Sequence, residues 1–150
     1  KKVGKKYSKS KLFIVGEGWD SLAKRIKTKN IQFRGRLSMK EILKIMKECS
    51  LYCHFGRGEA TGISILESMS QGIPTLVSEE TGAKGYVGKV SKSFICDFDV
   101  EKTAEKIDKY FQRSNSSKRE LGKKSKKIVG NLKIENSISE FKKKFEKISR

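Results

Sequence analysis

The sequence lacks the features that would indicate a membrane-spanning, secreted or zinc-stabilised protein. Its three cysteines, Cys49, Cys53 and Cys96, include no Cys-x-x-Cys pair, which argues against a zinc site and against a disulfide framework. No apolar run approaches the roughly 18 to 20 residues of a transmembrane helix, and the basic start has no apolar stretch like that of a signal peptide. We therefore expect a chain in a reducing cytosol, either soluble or peripheral to a membrane.

Acidic residues are also scarce, which leaves the chain strongly basic. The sequence has 17 Asp and Glu against 35 Lys and Arg, a formal net charge of +18. Such a surface attracts anionic partners. These could be the phosphates of a small ligand, an anionic membrane or nucleic acid, and charge alone does not choose among them or exclude a merely solvated surface.

Short apolar runs alternate with amphipathic stretches along most of the 150 residues, a length that fits one domain. Strands are predicted at 12–15, 31–33, 51–55, 73–77 and 94–96. Helices are predicted at 19–26, after a capping box of Ser38 and Glu41, between Gly62 and Gly72, and at 100–113 and 118–129. The alternation is typical of βαβ units. The expected fold class is therefore α/β, a Rossmann-like parallel sheet with helices on both faces and C-terminal helices packing back on the domain.

The two ends of the chain differ from this middle. Residues 1–11 hold six lysines among Gly and Ser and predict an exposed basic lead-in or loop, so that the domain itself occupies 12–150. Near the C-terminus, apolar residues spaced four and three apart predict a helical stripe that docks on the parent domain: Ile134, Ile138, Phe141, Phe145 and Ile148. The Lys-rich back of this stripe leaves a membrane-facing role open.

A glycine-rich loop in the middle of the chain has the features of an anion site. Residues 56–85 are GRGEATGISILESMSQGIPTLVSEETGAKG. With a strand ending near residue 55 and a helix beginning near Gly62, the free N–H groups of Gly62, Ile63 and Ser64 should point into the crevice at the strand's carboxyl end. The helix dipole and the close approach that glycine allows both suit a phosphate group.

Two glutamates lie on either side of this helix start. Glu59 is in the loop and Glu67 follows about five residues into the helix, so both can border the same crevice. Carboxylates only accept hydrogen bonds, which suits them to sugar and ribose hydroxyls.

The same segment resembles the signature of a known enzyme family. The C-terminal domain of family 4 glycosyltransferases, the group 1 glycosyl transferases, carries E-G-F-G-x-x-x-x-E-A-M-A-x-G-x-P-V, and residues 59–75, EATGISILESMSQGIPT, are similar nearly position for position. LFIVGEG at 12–18, FRGRLS at 33–38 and TGAKG at 81–85 resemble further pieces in the family's order. The resemblance implies the nucleotide-sugar-binding half of a retaining enzyme of the two-domain GT-B fold.

Roles for individual residues follow from this resemblance. Glu59 would be the catalytic residue that holds the donor sugar's hydroxyls, and Glu67 would hold the ribose hydroxyls. Gly62 and Ile63 would give N–H groups to the distal phosphate and the sugar, with Thr61 and Ser64 beside them. The remaining implied donor contacts lie in two other loops: Gly16 and Gly18 in the neighbouring wall, and Arg36 and Leu37 in a turn against the base.

The resemblance also implies partners and a location. The donor would be a nucleoside diphosphate sugar such as a UDP- or GDP-sugar, with no metal ion or other cofactor. Many relatives work at the cytoplasmic face of a membrane, so a cytoplasmic protein at an anionic surface is expected. The family's donor domain opens with a G-R-L…E-K-G loop that clamps the diphosphate, and nothing similar precedes Lys11. We therefore expect a fragment that lacks the N-terminal acceptor domain and the first donor-domain strand, with Arg57 or Lys84 as candidate substitutes for the clamp.

The sequence departs from the family pattern at several positions. Thr61 replaces an aromatic residue, His54-Phe55 replaces Pro-Ser, and Gly85 stands where Glu is common. His54 is the single histidine, and we interpret it as a packing or wall residue.

Two other classes of protein remain as alternatives. A dinucleotide-binding module would share the βαβ pattern, yet GEGWDS at 16–21 lacks the third glycine of its fingerprint. A basic nucleic-acid-binding module would explain the charge, but the lysines of 118–127 come with no recognition motif or aromatic platform, so nucleic acid is not the partner we expect.

Overall fold

The computed structural model describes residues 6–132, 138–139, 142 and 146, and five strands and six α-helices lie within them. The strands are β1 (Leu12–Ile14), β2 (Ile31–Phe33), β3 (Tyr52–His54), β4 (Thr75–Ser78) and β5 (Ile95–Cys96). The helices are α1 (Asp20–Arg25), α2 (Met39–Glu48), α3 (Ile63–Ser70), α4 (Lys84–Val90), α5 (Val100–Phe111) and α6 (Asn115–Gly130), and a 3-10 turn (Lys92–Phe94) precedes β5.

All strand pairs in these residues are parallel, which confirms the expected α/β class. Strand β1 pairs with β2, with Leu12 opposite Ile31. Strand β4 lies between β3 and β5, with Tyr52 opposite Thr75 and Val77 opposite Ile95. The strands therefore form two separate parallel ladders where the sequence predicted one continuous sheet.

The hydrophobic core surrounds the β3–β4–β5 ladder. All four residues of β4 are buried, and they pack with apolar residues of α3, α4 and α5, among them Ile65, Val87 and Tyr110. In contrast, β1, β2 and α1 hold no fully buried residue, and Leu12 of β1 is half exposed. The β3–β4–β5 ladder is thus the more deeply buried part of the domain. No helix within 6–132 is long and apolar enough to cross a membrane.

Several element boundaries differ from the predicted ones for local reasons. Strand β4 begins at Thr75 because Pro74 has no N–H group for a ladder hydrogen bond. Phe94 ends the 3-10 turn, so β5 is shorter than predicted. Helix α6 begins at Asn115 because Ser114 caps it.

Helix α4 was not predicted from the sequence. Its two glycines lower its helix propensity, while burial of Val87 and Val90 stabilises it.

The basic N-terminal segment is more ordered than the sequence suggested. Residues 8 and 9 are exposed, as expected, but Lys6 and Tyr7 dock on α5. The Lys6 ammonium lies 2.8 Å from Asp108, the Tyr7 hydroxyl donates to Asp108 at 2.6 Å, and the Tyr7 ring packs against Phe111. Hydrogen bonds from Lys6 and Tyr7 hold the pKa of Asp108 below its usual value. Tyr7 is therefore partly buried where an exposed lead-in was expected, Lys6 is exposed, and residues 1–5 lie outside the described part.

Helix α6 packs back on the domain, as predicted, against α3 and α4. Its closest approach is at Gly122, where an added Cβ would overlap the carbonyl oxygen of Gly72 in the turn after α3. Gly72 itself has φ +76°, a conformation that favours glycine. Of the predicted C-terminal stripe, Ile138 is half exposed and the other four residues lie outside the described residues.

Replacing Gly122→Ala should destabilise the domain by about 1–3 kcal/mol, because the new methyl group overpacks a backbone contact that cannot yield easily. Urea unfolding followed by circular dichroism measures the change. Gly130→Ala is the matched control in the same helix, since nothing lies near its Cβ, and its stability should stay within about 0.5 kcal/mol of wild type. Equal effects of the two substitutions would contradict the close approach.

Candidate functional site

The loop between β3 and α3 ends in an open helix start, as the sequence predicted. Gly62 is the N-cap residue of α3, with φ +68° in the left-handed region. A side chain there would be strained, and its Cβ would lie 2.6 Å from the Ile65 side chain. Within residues 6–132, the N–H groups of Gly62, Ile63 and Ser64 have no hydrogen-bond acceptor. The start of α3 therefore offers three free donors.

Both predicted carboxylates lie near one side chain of β3. Burial raises the pKa of the Tyr52 phenol, and the negative charges of Glu59 and Glu67 raise it further. Glu59 and Glu67 are each half buried, and the Glu67 carboxylate has no hydrogen-bond partner among the residues described through 132. Tyr52 is thus a side chain on which the charges of both glutamates act.

A hydrogen-bonded series of side chains connects Glu59 with the start of α3. His54 Nε2 contacts Glu59 Oε2, and His54 Nδ1 lies 3.3 Å from the Tyr52 hydroxyl oxygen. The Tyr52 hydroxyl donates to Ser64 Oγ at 3.0 Å. The sequence interpretation of His54 as a packing or wall residue overlooked this contact with Glu59. Strand alternation could have indicated that His54 lies beside Tyr52, because the two residues are two positions apart and share one face of β3.

The backbone of the loop is held from the opposite side by the turn after β4. The Ser78 hydroxyl donates to the Gly56 carbonyl at 2.5 Å and lies 2.9 Å from the Thr81 hydroxyl. The Gly82 N–H donates to the Glu59 carbonyl at 2.8 Å. Both hydroxyl side chains are buried. We call these contacts the Ser78–Gly82 brace, and they fix the backbone that carries Glu59.

The other predicted contact residues form a second group, at the ends of β1 and β2. The Gly16 N–H donates to the Gly35 carbonyl at 2.7 Å, which joins the two loops. Arg36 lies 3.9 Å from Glu17, and both side chains are largely exposed. Gly18 is exposed and Leu37 is half buried. No hydrogen bond or ion pair within 6–132 connects this wall with Glu59, Glu67 or the start of α3.

The remaining candidates near the loop are exposed. Thr61 is exposed and the Ile63 side chain is 66% exposed, although both flank the helix start. The two cations proposed to replace the diphosphate clamp already have neighbours, since the Arg57 guanidinium lies over the Phe98 ring at 4.3 Å and Lys84 donates to the Glu79 carbonyl at 2.6 Å. Within the described residues, no cluster of three or more His, Cys, Asp or Glu could hold a metal ion.

Comparison with known proteins identifies the family. The family model for the glycosyl transferases of group 1 matches residues 1–128. The chain belongs to this family. A curated relative is the uncharacterized glycosyltransferase YqgM of Bacillus subtilis (strain 168), which is 27% identical over 115 residues, 72% of this chain and 32% of the relative. The chain therefore spans about a third of that relative's length.

Solved glycosyltransferase structures share the fold of this group 1 chain. The catalytic domain of cholesterol-α-glucosyltransferase from Helicobacter pylori superimposes with a TM-score of 0.67 at 20% identity, covering 81% of this chain and 79% of that one. WaaG, a glycosyltransferase of lipopolysaccharide biosynthesis, gives 0.69 at 21%, with coverage of 83% and 35%. Anabaena Alr3699/HepE in complex with UDP-glucose gives 0.68 at 18%, with coverage of 81% and 36%. The parallel α/β arrangement is thus that of GT-B glycosyltransferase domains.

Replacing Gly82→Ala should displace the loop that carries Glu59, because the added Cβ would overlap the Ala60 carbonyl oxygen. We expect faster hydrogen exchange over residues 56–62 and a loss of stability of about 1–3 kcal/mol. Hydrogen-exchange mass spectrometry measures the first and urea unfolding the second. Gly85→Ala, three residues along the chain with open space around its Cβ, is the control and should leave the exchange of this loop unchanged. Unchanged exchange in Gly82→Ala would refute the role of the brace.

Proposed function

We propose that this chain is the donor-binding part of a retaining glycosyltransferase of family 4, and that it binds a nucleoside diphosphate sugar at the start of α3. The observation that carries the proposal is the hydrogen-bonded series from Glu59 to Ser64, which joins the loop carboxylate to a helix start with three unpaired backbone N–H groups. Acceptor-only carboxylates suit sugar and ribose hydroxyls, while free amides at a helix start suit phosphate oxygens.

Each group in the crevice is assigned to one part of the donor according to where it lies on the loop or on α3. The amides of Gly62, Ile63 and Ser64 receive the phosphate next to the sugar, because the dipole of α3 adds partial positive charge there. Glu59 lies on the loop side and holds the sugar hydroxyls. Glu67, one turn into α3 and without a hydrogen-bond partner within 6–132, holds the ribose hydroxyls. Gly16, Gly18, Arg36 and Leu37 form the wall against the base.

Solved relatives support a nucleotide-sugar ligand. Anabaena Alr3699/HepE is in complex with UDP-glucose in one structure and with UDP and glucose in another, and this chain covers about a third of its length with the same fold. A uridine nucleotide is therefore the first ligand to test, with a guanosine nucleotide as the alternative.

The reaction breaks the bond between the sugar's anomeric carbon and the diphosphate, and forms a bond from an acceptor hydroxyl to that carbon on the same face. The acceptor proton leaves with the diphosphate, on which negative charge develops. Backbone donors already aimed at this charge stabilise it without reorganisation. The acceptor would be held by a separate N-terminal domain that closes over the donor, so the 150-residue chain should bind the donor but hardly catalyse transfer.

Replacing Glu67→Ala should weaken binding of UDP-glucose about 10- to 100-fold, the effect of losing hydrogen bonds to a charged acceptor. Isothermal titration calorimetry of the 150-residue chain with UDP-glucose and GDP-mannose measures the affinities. Glu105→Ala removes an exposed carboxylate from α5 and should leave binding unchanged. Affinity of Glu67→Ala equal to wild type would refute its assignment, and no binding of either donor by wild type would refute the proposed function.

We propose in addition that the outer face of α6 contacts an anionic membrane. Gly122 and Ser125 are buried against the domain, whereas Arg119, Lys126 and Lys127 are exposed. A basic helical face is attracted to acidic lipids by about 1 kcal/mol per cation. This surface would keep the enzyme beside a lipid-linked acceptor at the cytoplasmic face.

Replacing Arg119, Lys126 and Lys127 together by Gln should lower binding to vesicles containing phosphatidylserine about 100-fold, since about 3 kcal/mol of attraction is removed. Flotation with phosphatidylserine-containing and pure phosphatidylcholine vesicles measures this binding. Replacing Lys40, Lys44 and Lys47 of α2 by Gln removes the same charge elsewhere and is the control. Equal losses in both variants would show that only net charge matters.

A further inference from the structure

We propose that His54 and Tyr52 are positioning residues of this site, which fix the Glu59 carboxylate and orient the Ser64 hydroxyl together. The inference rests on the proposed function and deepens it, since it connects the end of the crevice assigned to the sugar with the end assigned to the phosphate. Four polar groups form the series: Glu59, His54, Tyr52 and Ser64.

The hydrogen bonds of this series pass through both nitrogens of the His54 imidazole. The Tyr52 hydroxyl has a single hydrogen, which it donates to Ser64 Oγ at 3.0 Å. His54 Nδ1 lies 3.3 Å from the same hydroxyl oxygen. A carboxylate only accepts hydrogen bonds, so Nε2 is the nitrogen of His54 that can donate to Glu59.

These contacts leave a group available to a ligand at each end of the site. Because Ser64 Oγ accepts from Tyr52, the hydrogen of Ser64 remains free to donate to an anion at the start of α3, next to the unpaired backbone amides. At the other end, His54 occupies Oε2 of Glu59 and leaves the second oxygen of that carboxylate to a sugar hydroxyl. The exposed fractions of the His54 and Glu59 side chains, 23% and 36%, show that this contact borders solvent.

The contact of His54 with Glu59 is not needed to hold the loop itself. The Ser78–Gly82 brace already fixes the loop backbone through the carbonyl groups of Gly56 and Glu59. His54 reaches the side chain of Glu59 from the β3 side. Removing the imidazole should therefore change where the carboxylate points and leave the fold intact.

Gly56 supports the contact of His54 with Glu59 independently of the hydrogen bonds. An added Cβ at Gly56 would lie 2.7 Å from Glu59 Oε2 and 3.2 Å from His54 Nε2. The absence of a side chain at residue 56 is thus what leaves room for the contact. Gly56→Ala disturbs the contact while retaining both His54 and Glu59.

The test compares a nucleotide sugar with its free nucleotide by calorimetry on the 150-residue chain, using UDP-glucose and UDP, or GDP-mannose and GDP if wild type prefers guanine. His54→Leu should weaken the sugar nucleotide about 10-fold and change the free nucleotide less than about 2-fold, since His54 acts through Glu59. His54→Gln retains a donor for Glu59 and should recover most of the loss. Tyr52→Phe should weaken both ligands about 3- to 10-fold, because Ser64 loses its orientation.

Controls separate positioning from folding. Tyr86→Phe removes a phenol hydroxyl from α4 and should leave both affinities unchanged, and the melting temperature of each variant should match wild type. If His54→Leu melts early, Gly56→Ala provides the same comparison with both partners present. Equal losses for the two ligands in these variants, or no recovery with Gln, would overturn the inference. Loss of all nucleotide binding in wild type would instead overturn the proposed function, and the inference with it.

Discussion

The position of the Glu59 backbone depends on one close contact, that of Gly82 against residues 59 and 60. The Gly82 N–H donates to the Glu59 carbonyl, and the lack of a side chain at Gly82 lets the turn after β4 touch the Ala60 carbonyl. The buried hydroxyls of Ser78 and Thr81 add a second attachment at Gly56. This turn follows the most buried strand. The close packing of the core therefore restricts the movement of the loop that carries the site.

The two ladders contribute differently to this arrangement. The β3–β4–β5 ladder is buried by α3, α4 and α5 and carries the glutamates, the helix start and the polar side chains between them. The β1–β2 ladder has no fully buried residue, and its loops are joined to each other by the hydrogen bond of Gly16 with Gly35. The part of the site assigned to sugar, phosphate and ribose therefore stands on the better packed half of the domain, and the part assigned to the base stands on the half with less buried surface.

The sequence correctly predicted the helix ends that are determined by residues next to them in the chain. The capping box of Ser38 and Glu41 begins α2, the left-handed Gly62 begins α3, and Gly72 ends it, each where the sequence indicated. Helix α4 was missed because its stability comes from burial of Val87 and Val90 and not from its glycine-containing sequence. Docking of Tyr7 on Asp108 was missed for a similar reason, since the two residues are 101 positions apart and no local pattern connects them.

The sequence by itself determined the α/β class, the parallel pairing, the open start of α3 and the two glutamates that flank it. These features follow from apolar periodicity and from glycine at positions where the backbone turns, which are local properties of the chain. Only the tertiary structure decided that Tyr52 bonds Ser64 at the start of α3, that His54 contacts Glu59 and that Gly82 supports the loop of Glu59. Each of these contacts joins different elements, and their existence depends on how the strands and helices pack, which spacing along the chain does not specify.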